Sequence, residues 1–365
     1  MSDFLALNYY SNRIGNDIEV LLSSKSYSTL ASTRLQLLPA LRAAQNLGLK
    51  PASYSLNASQ PQYLNHLGHP KVCLVGKMIG DDSDCAVANL AAIARLNRMG
   101  TPILIIYSNH HLSRDDKMGE FYRNIAYYAS YFIYPTEKLK QLSVPYLPKE
   151  KIGDVIVDPW QIPEFISYPK LDISADIRLL WYGTEGNLEY LDRELLNIKA
   201  SLSLNDLPKI TLTLLTGKKH LSLFRRYLNS NKSIYPNFNY RFLAWDGRKN
   251  PEQFENELRN AHIVMIPSDS HDLLKVGASH NRLIDAIRAG CIPIASPIDS
   301  YIELKKVALV GDNFPKMLLY AINNYERLSN KYADLRESIL KRFSPELNQK
   351  SWERVISRFG YKSRC

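Results

Sequence analysis

Short unbroken apolar runs alternate with helix-length amphipathic stretches along most of the chain. In the first half Ile18 to Ser23, Val72 to Met78 (VCLVGKM), Pro102 to Tyr107 (PILIIY), Tyr131 to Tyr134 and Val155 to Val157 read as strands. Runs that are apolar at every position, rather than at every second one, belong to strands covered on both faces. Between them Ser32 to Leu47, Cys85 to Met99 and Phe121 to Tyr131 have helical spacing. Leu35, Leu38 and Leu41 recur three apart, and Gly48 and Gly100 stop the first two helices. Strands separated by helices of this length predict a mostly parallel sheet with helices on both sides.

Pro159 to Ile173 breaks the pattern. It holds Pro159, Pro163 and Pro169 without helical or alternating period, and reads as a linker. The alternation then restarts, with strands at Ile177–Tyr182, Ile210–Leu215, Arg241–Ala244, Ile263–Pro267, Ile292–Ser296 and Val307–Val310. Helices are predicted from the Gly183 loop to about Leu202, over Pro251–Ala261, and from about Ser279 to Ala289. From Pro315 onward the chain is almost entirely helical, with a break near Pro345. A chain of 365 residues exceeds a typical single core. The expected fold is α/β: two Rossmann-like domains over 1–160 and 174–325, then C-terminal helices over 326–365.

The most informative stretch runs from His262 to Leu304, HIVMIPSDSHDLLKVGASHNRLIDAIRAGCIPIASPIDSYIEL. It parses as a strand, a polar loop, a short helix with Leu283, Ile284 and Ile287 on one face, a turn at Gly290 and a second strand. The first turn of that helix carries Ser279, Asn281 and Arg282. Free N–H groups and the positive end of the helix dipole favour an anion there, and an arginine strengthens the preference. A strand–loop–helix unit of this kind is a seat for a nucleotide diphosphate. Its plainest alternative is an ordinary βαβ unit whose polar loop caps a helix.

NRLIDAIRAGCIPIASPIDSYIEL resembles the helix–Gly–strand signature in the donor-binding half of nucleotide-sugar glycosyltransferases of the GT-B architecture, in particular family 4-like (group 1-like) members. The close resemblance covers about forty residues, and a looser one most of the chain. It implies two Rossmann-like domains facing a central cleft, with a terminal helix (Asn348 to Phe359) crossing back onto the first. The implied activity is transfer of a sugar from a UDP-, GDP-, dTDP- or CMP-sugar to a saccharide or lipid-linked acceptor, in surface polysaccharide biosynthesis. No metal or other cofactor is implied. By position Asp285 would hold the nucleotide ribose, while Lys275, Ser279, Asn281 and Arg282 would grip the diphosphate. The commonest retaining members carry a glutamate eight positions before the ribose acid; here that position is Gly277. Two further readings stay open: a non-catalytic member that binds a nucleotide or polyanion, and a nucleotide-sugar epimerase of the same architecture.

Open parallel sheets bind ligands at the carboxyl ends of their strands. In the second half that rule adds Gly183 and Thr184, then Gly217 and Lys218, to the phosphate-binding candidates. In the first half it selects Asp81, Asp82, His110 and His111 as catalytic candidates. Glycosyl transfer builds charge on a leaving phosphate and calls for a base where the acceptor is activated directly. A neutral histidine, with a pKa near ~6.5, suits that task. Adjacent histidines in a strand-end loop are, however, more often ordinary polar residues. As neighbours, His110 and His111 do not easily present both rings to one metal ion, and no other metal-ligand spacing occurs. Neither GxxxxGK[ST] nor GxGxxG is present.

Composition adds limits. Hydrophobic content of 45% and charged content of 22% are those of a soluble globular protein. No apolar run approaches the ~18–20 residues of a membrane span, and Asp3 without a basic leader predicts no signal peptide. Four scattered cysteines fit a reducing cytoplasm. Half of the net charge of +10 lies between Lys331 and Cys365, where nine Lys/Arg face four acids. Without an RNA-binding aromatic motif or recognition helix, nucleic acid is not the expected partner. Anionic headgroups at the inner face of the cell membrane fit the charge, as does a solubilising helix face.

Overall fold

The computed structural model describes residues 2–7, 31–54, 67–76, 83–148, 153–172, 176–202, 207–218, 221–222, 224–225, 238–245, 250 and 252–360. The strand predicted at Ile18–Ser23 and the candidates Asp81 and Asp82 lie outside these residues. The chain forms two compact units, Met1–Pro159 with Val276–Ser279 and Phe343–Cys365, and Trp160–Lys275 with His280–Arg342.

The first unit contains β1 (Phe4–Leu7), a π-helical turn (Thr33–Leu37) running into α1 (Leu38–Asn46), β2 (Pro51–Tyr54), β3 (Val72–Val75) and α2 (Ser83–Arg98). There follow β4 (Ile103–Ile106), α3 (Lys117–Tyr128), β5 (Tyr131–Tyr134), α4 (Glu137–Ser143) and β6 (Gly153–Val155). The six strands form one sheet in the order β2-β1-β3-β4-β5-β6, and each pair is parallel. The unbroken apolar runs now have their cause. Leu5, Leu7, Cys73, Val75, Ile103 and Ile105 enter one core cluster with Ile93 and Leu96 of α2 and Phe121 and Ile125 of α3. Their alternating neighbours Phe4, Ala6, Val72, Leu74, Leu104 and Ile106 enter the cluster on the other face, with Leu38 and Leu41 of α1.

Two strands escape the sequence pattern. β1 and β2 are four residues each, FLAL and PASY. β1 lies between β2 and β3, with Phe4 opposite both Pro51 and Val72, so tertiary pairing rather than local preference makes these segments strands. Helix α3 begins at Lys117, earlier than the predicted Phe121, because the Asp116 side chain accepts from Gly119 N (3.0 Å) and caps the first turn.

The second unit contains β7 (Ile177–Tyr182), α5 (Leu188–Ser201), β8 (Ile210–Thr216), β9 (Phe238–Ala244), α6 (Gln253–Asn260), β10 (Ile263–Ile266) and α7 (Leu273–Val276). It continues through α8 (Asn281–Arg288), β11 (Ile292–Ala295), α9 (Asp299–Ile302), β12 (Leu309–Val310), α10 (Phe314–Asn323) and α11 (Tyr325–Leu340). Its parallel sheet has the order β12-β11-β10-β7-β8-β9. The chain runs outward from β7 to β9, returns to β10 and runs outward the other way. The strand order therefore switches between β7 and β10, which is where an open α/β sheet offers a ligand crevice.

The segment from Trp160 to Asp172 has no helix or strand and lies against α8 as a strap. Gly290, at φ +75°, ends α8; a Cβ there would meet Ile166 O at 2.6 Å and Ser167 O at 2.8 Å, so only glycine allows the strap so close. The last helix, α12 (Pro345–Gly360), belongs to the first unit, where Trp352, Val355 and Ile356 join the core beside α1. Asn348 Nδ2 ties it to Val157 O (2.8 Å).

Candidate functional site

In the second unit the crevice at the β7/β10 switch is built by the loop after β7, the polar loop after β10 and the start of α8. Arg282 stands in the first turn of α8. Its backbone carbonyl accepts from Tyr182 Oη (2.6 Å), which pins the helix start to the end of β7. Its Nη2 donates to Tyr301 Oη (3.4 Å), while its Nη1 is buried with no hydrogen-bond partner among the described residues. That nitrogen lies beside Gly183, 3.5 Å from where a Cβ would stand. A buried guanidinium nitrogen without an acceptor is costly, and an incoming anion would satisfy it.

Lys275 supplies a second cation. Its Nζ donates to Asn187 Oδ1 (2.8 Å) and lies 5.5 Å from the centroid of the Tyr190 ring. Burial, and then the positive charge of Arg282, lower its pKa from the usual lysine value. The two cations are thus close enough to repel, and the charges of Asp272 and Glu189 work against that effect. Asn187 also donates to Thr184 Oγ1 (3.1 Å), and Thr216 Oγ1 donates to Gly183 O (2.8 Å). Gly183, Thr184, Lys275 and Arg282 are therefore brought together. Gly217 and Lys218 follow the neighbouring β8, with Lys218 exposed.

Asp285 is placed differently from its expected exposure to a ligand. It is 1% exposed, and its carboxylate accepts from Gln161 N (2.8 Å) and Gln161 Nε2 (2.6 Å) of the strap. Asn281 accepts through Oδ1 from Arg282 N (2.6 Å). Ser279 falls with Val276–Ser279 in the first unit, where Thr136 Oγ1 donates to Gly277 O (3.0 Å). A Cβ at Gly277 would meet Leu139 at 3.0 Å. A larger side chain at this position would therefore need Leu139 to give way by a few tenths of an ångström. In the polar loop after β10, Asp272 accepts from Leu274 N (2.8 Å) and Tyr190 Oη (3.1 Å).

In the first unit His110 and His111 follow β4 and are buried. The His111 ring stacks on Tyr122 at 4.8 Å. His110 meets Tyr146 edge-on at 5.3 Å, and its Nδ1 has no hydrogen-bond partner among the described residues. Burial lowers the His110 pKa, so the ring is neutral at pH 7. Beside it, Ser108 Oγ donates to Gln36 Oε1 (2.8 Å), and Gln36 Nε2 donates to the buried Asp158 Oδ1 (3.1 Å). Gln36 sits in the π-helical turn, a distortion that often marks functional sites. Sequence reasoning missed Gln36 and Asp158, as it missed Tyr182, Asn187, Tyr190 and Tyr301. For Asn187 and Tyr190 a signal existed, since both follow the Gly183 loop at helical spacing.

Among the described residues no group of His, Cys, Asp or Glu has metal-ligand geometry. None of their helices is long and apolar enough to cross a membrane.

No protein-family model matches the chain, and no curated protein matches it in sequence. Solved structures do share its fold. HepE of Anabaena, crystallised with UDP and glucose, superposes with a TM-score of 0.68 at 9% identity, covering 98% of this chain and 100% of that one. Sucrose-phosphate synthase of Thermosynechococcus elongatus gives 0.63 at 11% identity, with 100% of each chain covered. The apo lipopolysaccharide outer core galactosyltransferase WaaB gives 0.58 at 13% identity, covering 97% of this chain and 99% of that one. The chain thus has the GT-B fold of two Rossmann-like units.

Proposed function

We propose that this protein is a nucleotide-sugar glycosyltransferase. The observation that carries the reading is the buried, unsatisfied Nη1 of Arg282 beside Gly183, with Lys275 as a second cation at the same crevice. A nucleoside diphosphate answers both, and the two cations neutralise a leaving diphosphate without calling on a metal. That HepE is seen with UDP and glucose supports a UDP-sugar donor; a saccharide or lipid-linked acceptor and a role in surface polysaccharide assembly belong to the same proposal. In the reaction an acceptor hydroxyl oxygen bonds to the anomeric carbon as that carbon's bond to the diphosphate oxygen breaks. The diphosphate departs with the electron pair, and His110, neutral at pH 7, takes the hydroxyl proton.

Thermal denaturation with UDP-, GDP-, dTDP- and CMP-sugars at millimolar concentration tests the reading. Stabilisation by at least one is expected, followed by turnover with a saccharide acceptor. An epimerised donor sugar would identify an epimerase, tight binding without turnover a non-catalytic binder, and no stabilisation by any of the four would overturn the proposal.

The basic C-terminal stretch carries a second proposal, association with an anionic membrane face. Lys350 and Arg354 are exposed one turn apart on α12, and Leu347 beside them is 41% exposed. Charge next to an apolar side chain on one helix face is the pattern that binds anionic bilayers.

A further inference from the structure

Helix α8 carries three residues at steps of three: Arg282, Asp285 and Arg288. The first faces the crevice; the other two grip the strap. Arg288 is 3% exposed, with its guanidinium 3.8 Å from the Trp160 ring centroid and 4.0 Å from that of Phe165. It donates to Ile162 O (2.6 Å) and Pro163 O (2.5 Å), and Ile166 N donates back to Arg288 O (2.9 Å). Asp285 takes both the backbone N–H and the side-chain amide of Gln161.

A buried carboxylate is an expensive way to pack a helix, and an apolar residue would fill the same space at lower cost. Its two charge-assisted bonds confer direction. They fix a segment without secondary structure at one rotation of α8, and Arg282 stands less than one turn away on the same helix. Rotation of α8 by a few degrees would move the guanidinium away from Gly183, and positioning errors of this kind are costly at a phosphate grip.

We propose that Asp285 and Gln161 are a positioning pair that sets the Arg282 guanidinium for the diphosphate, and that Asp285 is not a ribose ligand. The inference rests on the nucleotide-binding reading above. The pair can be inverted. Gln161→Glu sets two carboxylates against each other, and Asp285→Ala removes the acceptor; Asp285→Asn alone would keep the bond, because the Gln161 amide turns over to present its oxygen. Joining Gln161→Glu with Asp285→Asn gives the new carboxylate an amide N–H to accept from, so the bond re-forms with donor and acceptor exchanged.

Calorimetric titration with UDP and with uridine, on wild type, the single variants Gln161→Glu and Asp285→Ala, and the double variant, is the test. Both single variants should lose about tenfold or more in UDP affinity, with uridine affinity unchanged, and the double variant should recover UDP binding to within a few-fold. Thermal melting of each variant identifies simple unfolding, and hydrogen exchange over 160–167 reports the strap without any ligand. Exchange should quicken in each single variant and slow again in the double. Wild-type UDP affinity in Asp285→Ala, or a loss of uridine binding that the double variant does not rescue, would overturn the inference while leaving nucleotide binding intact. A wild type that binds no nucleotide, with the strap effects as described, would overturn the function reading instead and leave the pair as a determinant of strap order alone.

Discussion

Arg282 Nη1 lies against Gly183, 3.5 Å from the position a methyl would take, and no described residue accepts its hydrogen bond. Bare backbone on one side and an unmet donor on the other leave room for a ligand oxygen. The second cation, Lys275, donates to Asn187 and lies over the Tyr190 ring.

Arg282→Ala and Lys275→Ala should each weaken UDP binding by about 1–3 kcal/mol, the range of a shielded charge-assisted hydrogen bond. Uridine affinity should not change. Isothermal titration of both ligands checks this, and equal losses for UDP and uridine would place the two cations elsewhere than on the phosphates.

His110→Gln should lower kcat by about 10²–10⁴ with UDP affinity preserved, as expected for loss of a general base. Because the imidazole must be neutral to accept a proton and burial lowers its pKa, wild-type activity should hold its plateau to a pH below the usual histidine value and fall only beneath it. A pH–rate profile that is the same in His110→Gln as in wild type, apart from scale, assigns the acid limb to another group.

Gly290→Ala should destabilise the protein by at least about 1–2 kcal/mol, since a side chain at positive φ carries that cost by itself. The clash with Ile166 O and Ser167 O adds to it. Urea unfolding measures the difference; a variant as stable as wild type would show that the strap yields readily.

Acid should weaken the second unit through His262. Nδ1 of this buried ring accepts from Arg178 N (3.0 Å), and Nε2 lies 3.1 Å from Lys170 O, to which it donates. Burial first, and then Arg178, lower its pKa from 6.5 to about 4. Above pH 6.5 the ring is neutral folded or unfolded, and stability is at its full value. Between pH 6.5 and about 4 only the unfolded chain takes up the proton, so stability falls with pH by up to about 3 kcal/mol. Below that window the contribution is fully lost. Denaturation midpoints from pH 7 to pH 4 should fall less steeply in His262→Gln than in wild type, the difference between the two slopes being the His262 contribution.

Flotation with liposomes containing anionic lipid should recover more protein than neutral liposomes do, and Lys350→Glu with Arg354→Glu should abolish the difference. Equal recovery on both liposomes leaves the basic helix as a solubilising surface.

Much of the framework is legible in the sequence because buried parallel strands are apolar at every position and bounded by Gly or Pro. VCLVGKM and PILIIY could be little else. The strand–loop–helix around Arg282 is legible for the same reason, with polar residues concentrated between two such runs. The partners that give those residues their geometry are not legible. Tyr182, Tyr190 and Tyr301 look like core aromatics in the sequence, and only the fold turns their hydroxyls toward Arg282 and Asp272. Asp285 shows the reverse limit: its place in the signature is readable, but Gln161, which occupies its carboxylate, lies 124 positions away in a segment with no period at all.

The membership of α12 in the first unit has a consequence for how the protein is made. Phe4, Ala6 and Leu41 are synthesised well before Trp352, Val355 and Ile356, yet all six share one core cluster. That face of the first sheet stays incomplete until α12 is made, by which time the second unit, which ends at Arg342, already has all its residues. The order of closure in vectorial folding is therefore the reverse of the order of translation: the unit begun first is the one finished last.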